Sequence, residues 1–176
     1  RNSPETFLYS GIGDLFCKIT SVFDWKLAYK KTGEYVNDFS SVICKNAVET
    51  FIYYEKRDIA NTEYLGIIVS SLLMTGVAME IAGSSRPASG SEHLVSHAYD
   101  KLAERPAMHG IQTGVASYVM SYLQGATHET VKSIIQRCGF ADFVAQNPLS
   151  KKDFLTAVRH APEIKENYYT ILTEKD

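Results

Sequence analysis

Residues 14–33, DLFCKITSVFDWKLAYKKTG, place apolar side chains at Leu15, Ile19, Val22, Phe23, Trp25 and Leu27. That spacing follows a helical repeat and not the alternation of a strand, and Gly33 is a stop signal, so a helix is expected over 14–31. The pattern recurs at 36–54 through Phe39, Val42, Ile43, Ala47, Val48 and Phe51. The short connection predicts that these two helices pack antiparallel. Asn61 or Thr62 can cap a third helix ending near Ile81, apolar on almost every side and therefore expected at the centre of a bundle. Gly66 and Gly76 within it are expected to mark close helix contacts. Further helical patterns cover 92–102, 108–123, 129–137 with Thr127 as cap, and 151–160, punctuated by Pro106, Pro148 and Pro162. No stretch shows hairpin alternation and no linker or repeat interrupts the chain. The expected fold is all-α, a helical bundle in a single domain over residues 1–176.

The chain has 176 residues, of which 45% are hydrophobic and 22% charged. A domain of that size buries enough surface to fold without a disulfide or metal. Its 18 Lys+Arg against 20 Asp+Glu give a formal charge of −2. That balance offers no basic footprint, so neither nucleic acid nor an anionic membrane is expected as a partner. Cys17, Cys44 and Cys138 form no Cys-x-x-Cys pair, which disfavours a thiolate zinc site and fits a reducing, cytoplasmic compartment. The charge-free stretch 64–79 is interrupted by Ser70, Ser71 and Thr75 and is expected to be too short and too polar to span a bilayer. The start shows no basic-then-apolar pattern, so no signal peptide is expected there. The start Arg1-Asn2-Ser3-Pro4, so close to an informative motif, suggests a piece of a longer product.

Three features can carry chemistry. His93 and His97 lie four apart in a predicted helix, so both imidazoles can face one point, and His109 opens the next helix. Glu92 precedes His93 and does not lie between two histidines, which disfavours a zinc protease. Asp14 follows Gly11-Ile12-Gly13 at an expected helix start, where glycines permit close approach of a ligand and a carboxylate can project from the first turn. One carboxylate and two imidazoles suit a catalytic metal, although an N-capping Asp and core-edge histidines explain the same residues. The serine-rich loop 84–93 brings Arg86, hydroxyls and backbone N–H groups to the start of the helix bearing His93, a setting for phosphate or another small anion.

Gly11-Ile12-Gly13-Asp14, then Gly83-Ser84-Ser85-Arg86-Pro87-Ala88-Ser89-Gly90-Ser91-Glu92-His93-Leu94-Val95-Ser96-His97, then Met108-His109-Gly110, resemble the sn-glycerol-1-phosphate dehydrogenase family. That family belongs with glycerol dehydrogenase, 3-dehydroquinate synthase and iron-dependent alcohol dehydrogenases. The serine-rich motif is the most specific part, and the resemblance extends over essentially the whole chain. It implies that Asp14, His93 and His109 bind a divalent metal, zinc or nickel with iron possible, and that Asp14 and His97 touch the substrate. Lys18 and Arg86 become candidate phosphate partners. The implied reaction interconverts dihydroxyacetone phosphate and sn-glycerol 1-phosphate with NAD or NADP, in a homodimer.

Two departures accompany the resemblance. Relatives continue His-Gly-Glu where this chain has His109-Gly110-Ile111-Gln112, and the glycine-rich phosphate loop of their N-terminal nucleotide-binding domain does not occur here. The chain is therefore expected to be the C-terminal metal- and substrate-binding half, inactive without a partner domain that positions the nicotinamide. Two alternatives stand beside this reading: a glycerol or other polyol dehydrogenase domain, and a non-catalytic helical metal-binding or dimerisation module.

Overall fold

A computed structural model describes residues 3–54 and 58–175. Arg1 and Asn2, which entered the reading of the chain start, lie outside the described residues. Every regular element among the described residues is helical: α1 (Glu5–Phe16), α2 (Lys18–Thr32), α3 (Asp38–Tyr53), α4 (Thr62–Ala82), α5 (Ser91–Leu102), α6 (His109–Gln124), α7 (His128–Arg137), α8 (Phe140–Gln146) and α9 (Lys151–His160), with short 3-10 turns at Ala161–Ile164 and Thr173–Lys175.

The single helix expected over 14–31 is two helices. The ladder of α1 ends where Cys17 N–H donates to the Gly13 carbonyl at 3.3 Å, and that of α2 starts from the Cys17 carbonyl, which accepts from Thr20 and Ser21 N–H. Asp14 therefore lies in the last turn of α1 and not at a helix start, and it caps nothing. Apolar periodicity is blind to such a break, because Leu15 and Phe16 are buried on one side of it and Trp25 and Ala28 on the other.

Side-chain caps fix other boundaries. Asn37 Oδ1 accepts from Ser40 N–H and Asn61 Oδ1 from Glu63 N–H, each satisfying an orphan donor of a first turn. Gly33, left-handed at φ 77°, ends α2. Thr127 occupies the cap position of α7, but its hydroxyl donates to Gln124 Oε1 instead. Helix α8 carries no sequence expectation; it follows the left-handed Gly139 directly and buries Phe140 and Phe143.

Two apolar cores lie side by side. One joins Ile12, Leu15 and Phe16 of α1 to Phe51, Tyr64, Ile68, Ile134 and Phe140. The other joins Leu94, Val95 and Tyr99 of α5 to Ala116 and Met120 of α6, Ala157, Ile171 and Leu172. Helices α1 and α6 cross between them with almost no space: a Cβ on Gly13 would lie 2.0 Å from the Gly110 carbonyl oxygen, and one on Gly110 would lie 1.8 Å from that of Ser10. The Gly11-Ile12-Gly13 motif thus serves a helix crossing, with Gly13 at its contact, where a ligand approach was expected.

Helix α4 is not central. It packs chiefly on α3 and less on α1, while Val69, Leu73 and Val77 are 57%, 68% and 54% exposed. Gly66 and Gly76 face open space, contrary to the expected close contacts. The helix has 21 residues and contains an 18-residue window with a mean hydropathy of 1.9, long and apolar enough by length and composition to cross a membrane, so the shorter charge-free stretch understated it. Helix α3 touches α2 but packs more extensively along α4.

Candidate functional site

The α1–α6 crossing sets the C-terminal end of α1 beside the first residue of α6, and α5 runs alongside. Asp14, His93, His97 and His109 line one cleft of about 430 Å3 together with Lys18, Ser85, Ser89 and Lys165. The His93 and His109 ring centroids are 4.9 Å apart and those of His97 and His109 5.8 Å. Asp14 Oδ1 lies 3.5 Å from His93 Nε2 and accepts from Lys18 Nζ at 2.7 Å.

Hydrogen-bond accounting fixes how two of the imidazoles present themselves. His93 Nδ1 lies 2.9 Å from Oε1 of Glu92, whose side chain is fully buried. A carboxylate only accepts, so His93 carries its proton on Nδ1 and turns the lone pair of Nε2 toward Asp14 when neutral. His109 is settled by a longer chain. Gln112 Nε2 donates to Asp100 Oδ1 at 2.7 Å and to the Ala107 carbonyl at 2.6 Å, both acceptors, so its Oε1 is the end that takes the Ser96 hydroxyl proton at 2.8 Å. Ser96 Oγ can then only accept from His109 Nδ1, 3.0 Å away, which leaves His109 Nε2 unprotonated. Both rings are held in the tautomer that a metal ligand requires, by partners of the kind that support metal-bound histidines. The donor chemistry fits a divalent cation.

A thiol adjoins two of the expected ligands: ligand atoms of Asp14, Cys17 and His93 lie within 4.8 Å of one another. Cys17 is fully buried, and its Sγ contacts the Asp14 carbonyl at 3.0 Å. His109 shares the cleft and stacks edge-on to His93, at the rim of that group.

Electrostatics show what a cation would have to displace. Burial opposes ionisation of Asp14, but the hydrogen bond from His93 and the Lys18 ammonium outweigh it and hold the carboxyl well below its usual range. Burial likewise opposes the charge of His93, while Cys17, Asp14 and Glu92 together raise its pKa well above the ordinary value. His97 and His109 are lowered, first by burial and then by His93. Without a cation His93 therefore holds a proton against Asp14, while His97 and His109 stay neutral at the mouth, so a cation bound here would displace the His93 proton.

Of the two expected phosphate partners, Lys18 lines the cleft but its ammonium is held by Asp14. Arg86 is not presented to it. The residue is 2% exposed, and its guanidinium donates to both carboxylate oxygens of Glu34 and to the Tyr169 carbonyl and lies 3.6 Å over the Tyr168 ring. The loop N–H groups expected to face an anion are also engaged: Gly90 donates to Glu92 Oε1 and Ser91 to Asp24 Oδ2. Arg86 was misjudged because Glu34, its partner, is 52 residues away and nothing local announces it. Glu92, Ser96 and Gln112 were missed as supporting groups; a signal existed, since each precedes or follows a cleft histidine by one to three positions. Cys17 and Lys165 carried none.

The domain is an all-α bundle with these donors in a cleft between helices. The chain is similar to proteins named glycerol-1-phosphate dehydrogenase [NAD(P)+] from Pyrococcus furiosus (38% identical over 173 residues), Thermococcus kodakarensis (37% over 175) and Staphylothermus marinus (39% over 175). Each match covers 98% of this chain and 49–50% of the relative. The chain therefore spans about half the length of these relatives, and over that span it resembles glycerol-1-phosphate dehydrogenases. No family model matches the chain.

Proposed function

We propose that this chain is the metal- and substrate-binding half of an NAD(P)-dependent dehydrogenase that interconverts dihydroxyacetone phosphate and sn-glycerol 1-phosphate. The observation that carries the proposal is the pair of Nε2 lone pairs of His93 and His109, set by Glu92 and by the Ser96–Gln112 chain, beside the Asp14 carboxylate. Asp14, His93 and His109 would hold the cation, zinc, nickel or iron, all of which accept such donors. When bound, it supplies Lewis acidity to the substrate carbonyl.

The chain's own groups complete the chemistry. Reduction adds a hydride from the nicotinamide to the carbonyl carbon and a proton to its oxygen. His97, exposed in the cleft with its pKa lowered by burial and His93, is placed to exchange that proton, and Asp14 to orient the substrate. The nicotinamide must be held by a second half, as the length of the relatives suggests, and the 176 residues alone are inactive in this reading. Assembly as a homodimer in the cytoplasm, without nucleic acid or membrane, follows the family resemblance and the near-neutral charge.

The test compares NAD(P)H-dependent turnover of dihydroxyacetone phosphate and of dihydroxyacetone by the enzyme containing this chain, alongside metal analysis of Asp14→Ala, His93→Ala and His109→Ala. The expected result is preference for the phosphorylated ketone and loss of stoichiometric metal in each variant. Unchanged metal content in all three ends the proposal.

A further inference from the structure

The donor atoms around Asp14 have the spacing of a coordination shell, and sulfur is one of them. Asp14 Oδ1 lies 3.5 Å from His93 Nε2 and 3.8 Å from Cys17 Sγ, and the ligand atoms of all three residues fall within 4.8 Å of one another. Bonds of ~2.0 Å to oxygen or nitrogen and ~2.3 Å to sulfur, at tetrahedral angles, would set such atoms ~3.3 to 3.6 Å apart. Two edges of the triangle therefore already match to a few tenths of an ångström. Cys44 and Cys138 belong to no such group among the described residues. A thiolate site was disfavoured because no two cysteines are paired in sequence, but a mixed set needs only one.

Charge balance favours the same set. The Asp14 and Glu92 carboxylates bring two negative charges, and the buried Lys18 ammonium, 2.7 Å from Asp14, cancels one. A dication held by Asp14 and neutral imidazoles would leave one positive charge in excess in a largely buried site, where uncompensated charge is costly. A thiolate at Cys17 removes that excess. Its other close neighbour, Lys18 Nζ at 3.5 Å, carries the sign that suits an ionised sulfur.

We propose that Cys17 is a further ligand of the cation, a single thiolate beside Asp14 and His93, and that it biases the site toward zinc and other thiophilic ions against magnesium and manganese. A carboxylate and imidazoles alone accept a wide range of divalent ions, whereas sulfur is the soft donor that separates them. The sulfur–metal bond replaces the S–H bond, the proton passes to solvent, and no electron is transferred. Cys17 is fully buried and is not one of the residues lining the cleft, so it leaves the open side, at His97 and His109, to the substrate. An ion of this class can take that further ligand by expanding beyond four. The role of Cys17 rests on the metal site of the proposed function, but not on the identity of its substrate.

The experiment is a cobalt(II) titration of the metal-free 176-residue chain, as wild type, Cys17→Ser and Cys17→Ala, followed by optical absorption, with chelator competition for zinc and for manganese. The expected result is a near-ultraviolet sulfur-to-cobalt charge-transfer band in the wild type that saturates with stoichiometric metal. Both variants should still bind cobalt through the remaining ligands but lack the band. Zinc affinity in Cys17→Ser should fall by at least the roughly 10- to 100-fold that loss of an outer partner costs, and manganese affinity by much less. Wild type that binds cobalt without the band overturns the proposal whether or not the variants fold, as does a band retained in Cys17→Ala. Wild type that binds no metal overturns it together with the metal site. Failure of the dehydrogenase reading looks different: the Cys17-dependent band persists while the complete enzyme reduces no dihydroxyacetone phosphate.

Discussion

Helices α4 and α5 invert the usual relation between polarity and burial. The most apolar helix of the chain, α4, buries Tyr64, Ile68, Ser71, Thr75 and Ala78 and leaves Val69, Leu73, Met74, Val77 and Ile81 at the surface. Helix α5 opens Ser91-Glu92-His93, and all three residues are buried, as is Ser96. Its polar atoms are tolerated inside because nearly every one has a partner supplied by a distant element: Thr20 donates to Glu92, His109 to Ser96, and Ser91 N–H donates to Asp24. Burial in this domain is therefore decided by which surfaces approach the cleft. The glycines show the same division, since Gly13 of α1 and Gly110 and Gly114 of α6 are in contact with backbone whereas Gly66 and Gly76 of α4 meet nothing.

The sharpest way to break that contrast is at the α1–α6 crossing. In Gly110→Ala the new methyl would sit 1.8 Å from the Ser10 carbonyl oxygen, where backbone and not a flexible side chain must yield. The cost is expected to reach about 3 kcal/mol or more. Because the crossing also places Asp14 beside His109, metal binding should be lost with it. Urea unfolding checks the first and metal analysis the second; a midpoint close to that of the wild type would mean that the crossing opens easily.

A second effect, on the order of a few kcal/mol, comes from the polar interior itself. Asp24 is fully buried, and burial together with the neighbouring Glu92 carboxylate pushes its pKa up to about 7, although Ser91 and Ile171 N–H groups partly offset the rise. The native state then holds a proton that the unfolded chain releases near pH ~4, so this group's contribution to stability is lost as pH rises through about 7. Asp24→Asn cannot titrate. The difference in stability between the wild type and Asp24→Asn, measured at pH 5 and pH 8, should shift against the wild type at the higher pH. Taking the difference removes the histidine titrations common to both proteins. Equal differences at the two pH values would show that Asp24 is ionised throughout.

How much of this was legible in the sequence follows from how local each determinant is. Periodicity and caps located most helices because they act within one or two turns, as Asn37, Asn61 and Gly33 do. Asp14, His93, His97 and His109 in the cleft were legible because the family motif contains them, whereas Lys165 of the same cleft was not. The split at Cys17 was not, since it is a matter of backbone hydrogen bonds with no apolar signature. Nor was the fate of Arg86, whose partner Glu34 comes from the turn after α2, or the role of Gln112, which reaches His109 only through Ser96 of another helix. Long-range pairing of polar groups decides these cases, and a single sequence does not record it.

Glu92 allows that pairing to be tested with the fold retained. In Glu92→Gln the amide oxygen can still accept from Gly90 N–H and His93 Nδ1, and its NH2 can donate to Thr20 Oγ1, now that each carboxylate bond has a neutral counterpart. What disappears is the charge that makes His93 a stronger base. Metal affinity by chelator competition is expected to fall about 10- to 100-fold, with stoichiometry preserved. Unchanged affinity would reduce Glu92 to a structural partner of the loop.

The smallest expected effect lies on the opposite side of the comparison and has the opposite sign. Gly66→Ala and Gly76→Ala each add a methyl where nothing lies within 4 Å, inside a helix. Alanine is favoured there by about 1 kcal/mol over glycine, because less backbone entropy is lost on folding. Ten residues apart on one helix, the two sites are about 15 Å from each other, so their effects should add. The double variant of this chain should therefore unfold at higher urea with an unchanged dependence on denaturant. Destabilisation would instead mean that another surface closes over α4 tightly enough to need glycine, and the exposed apolar strip would have to be regarded as half of a packed interface.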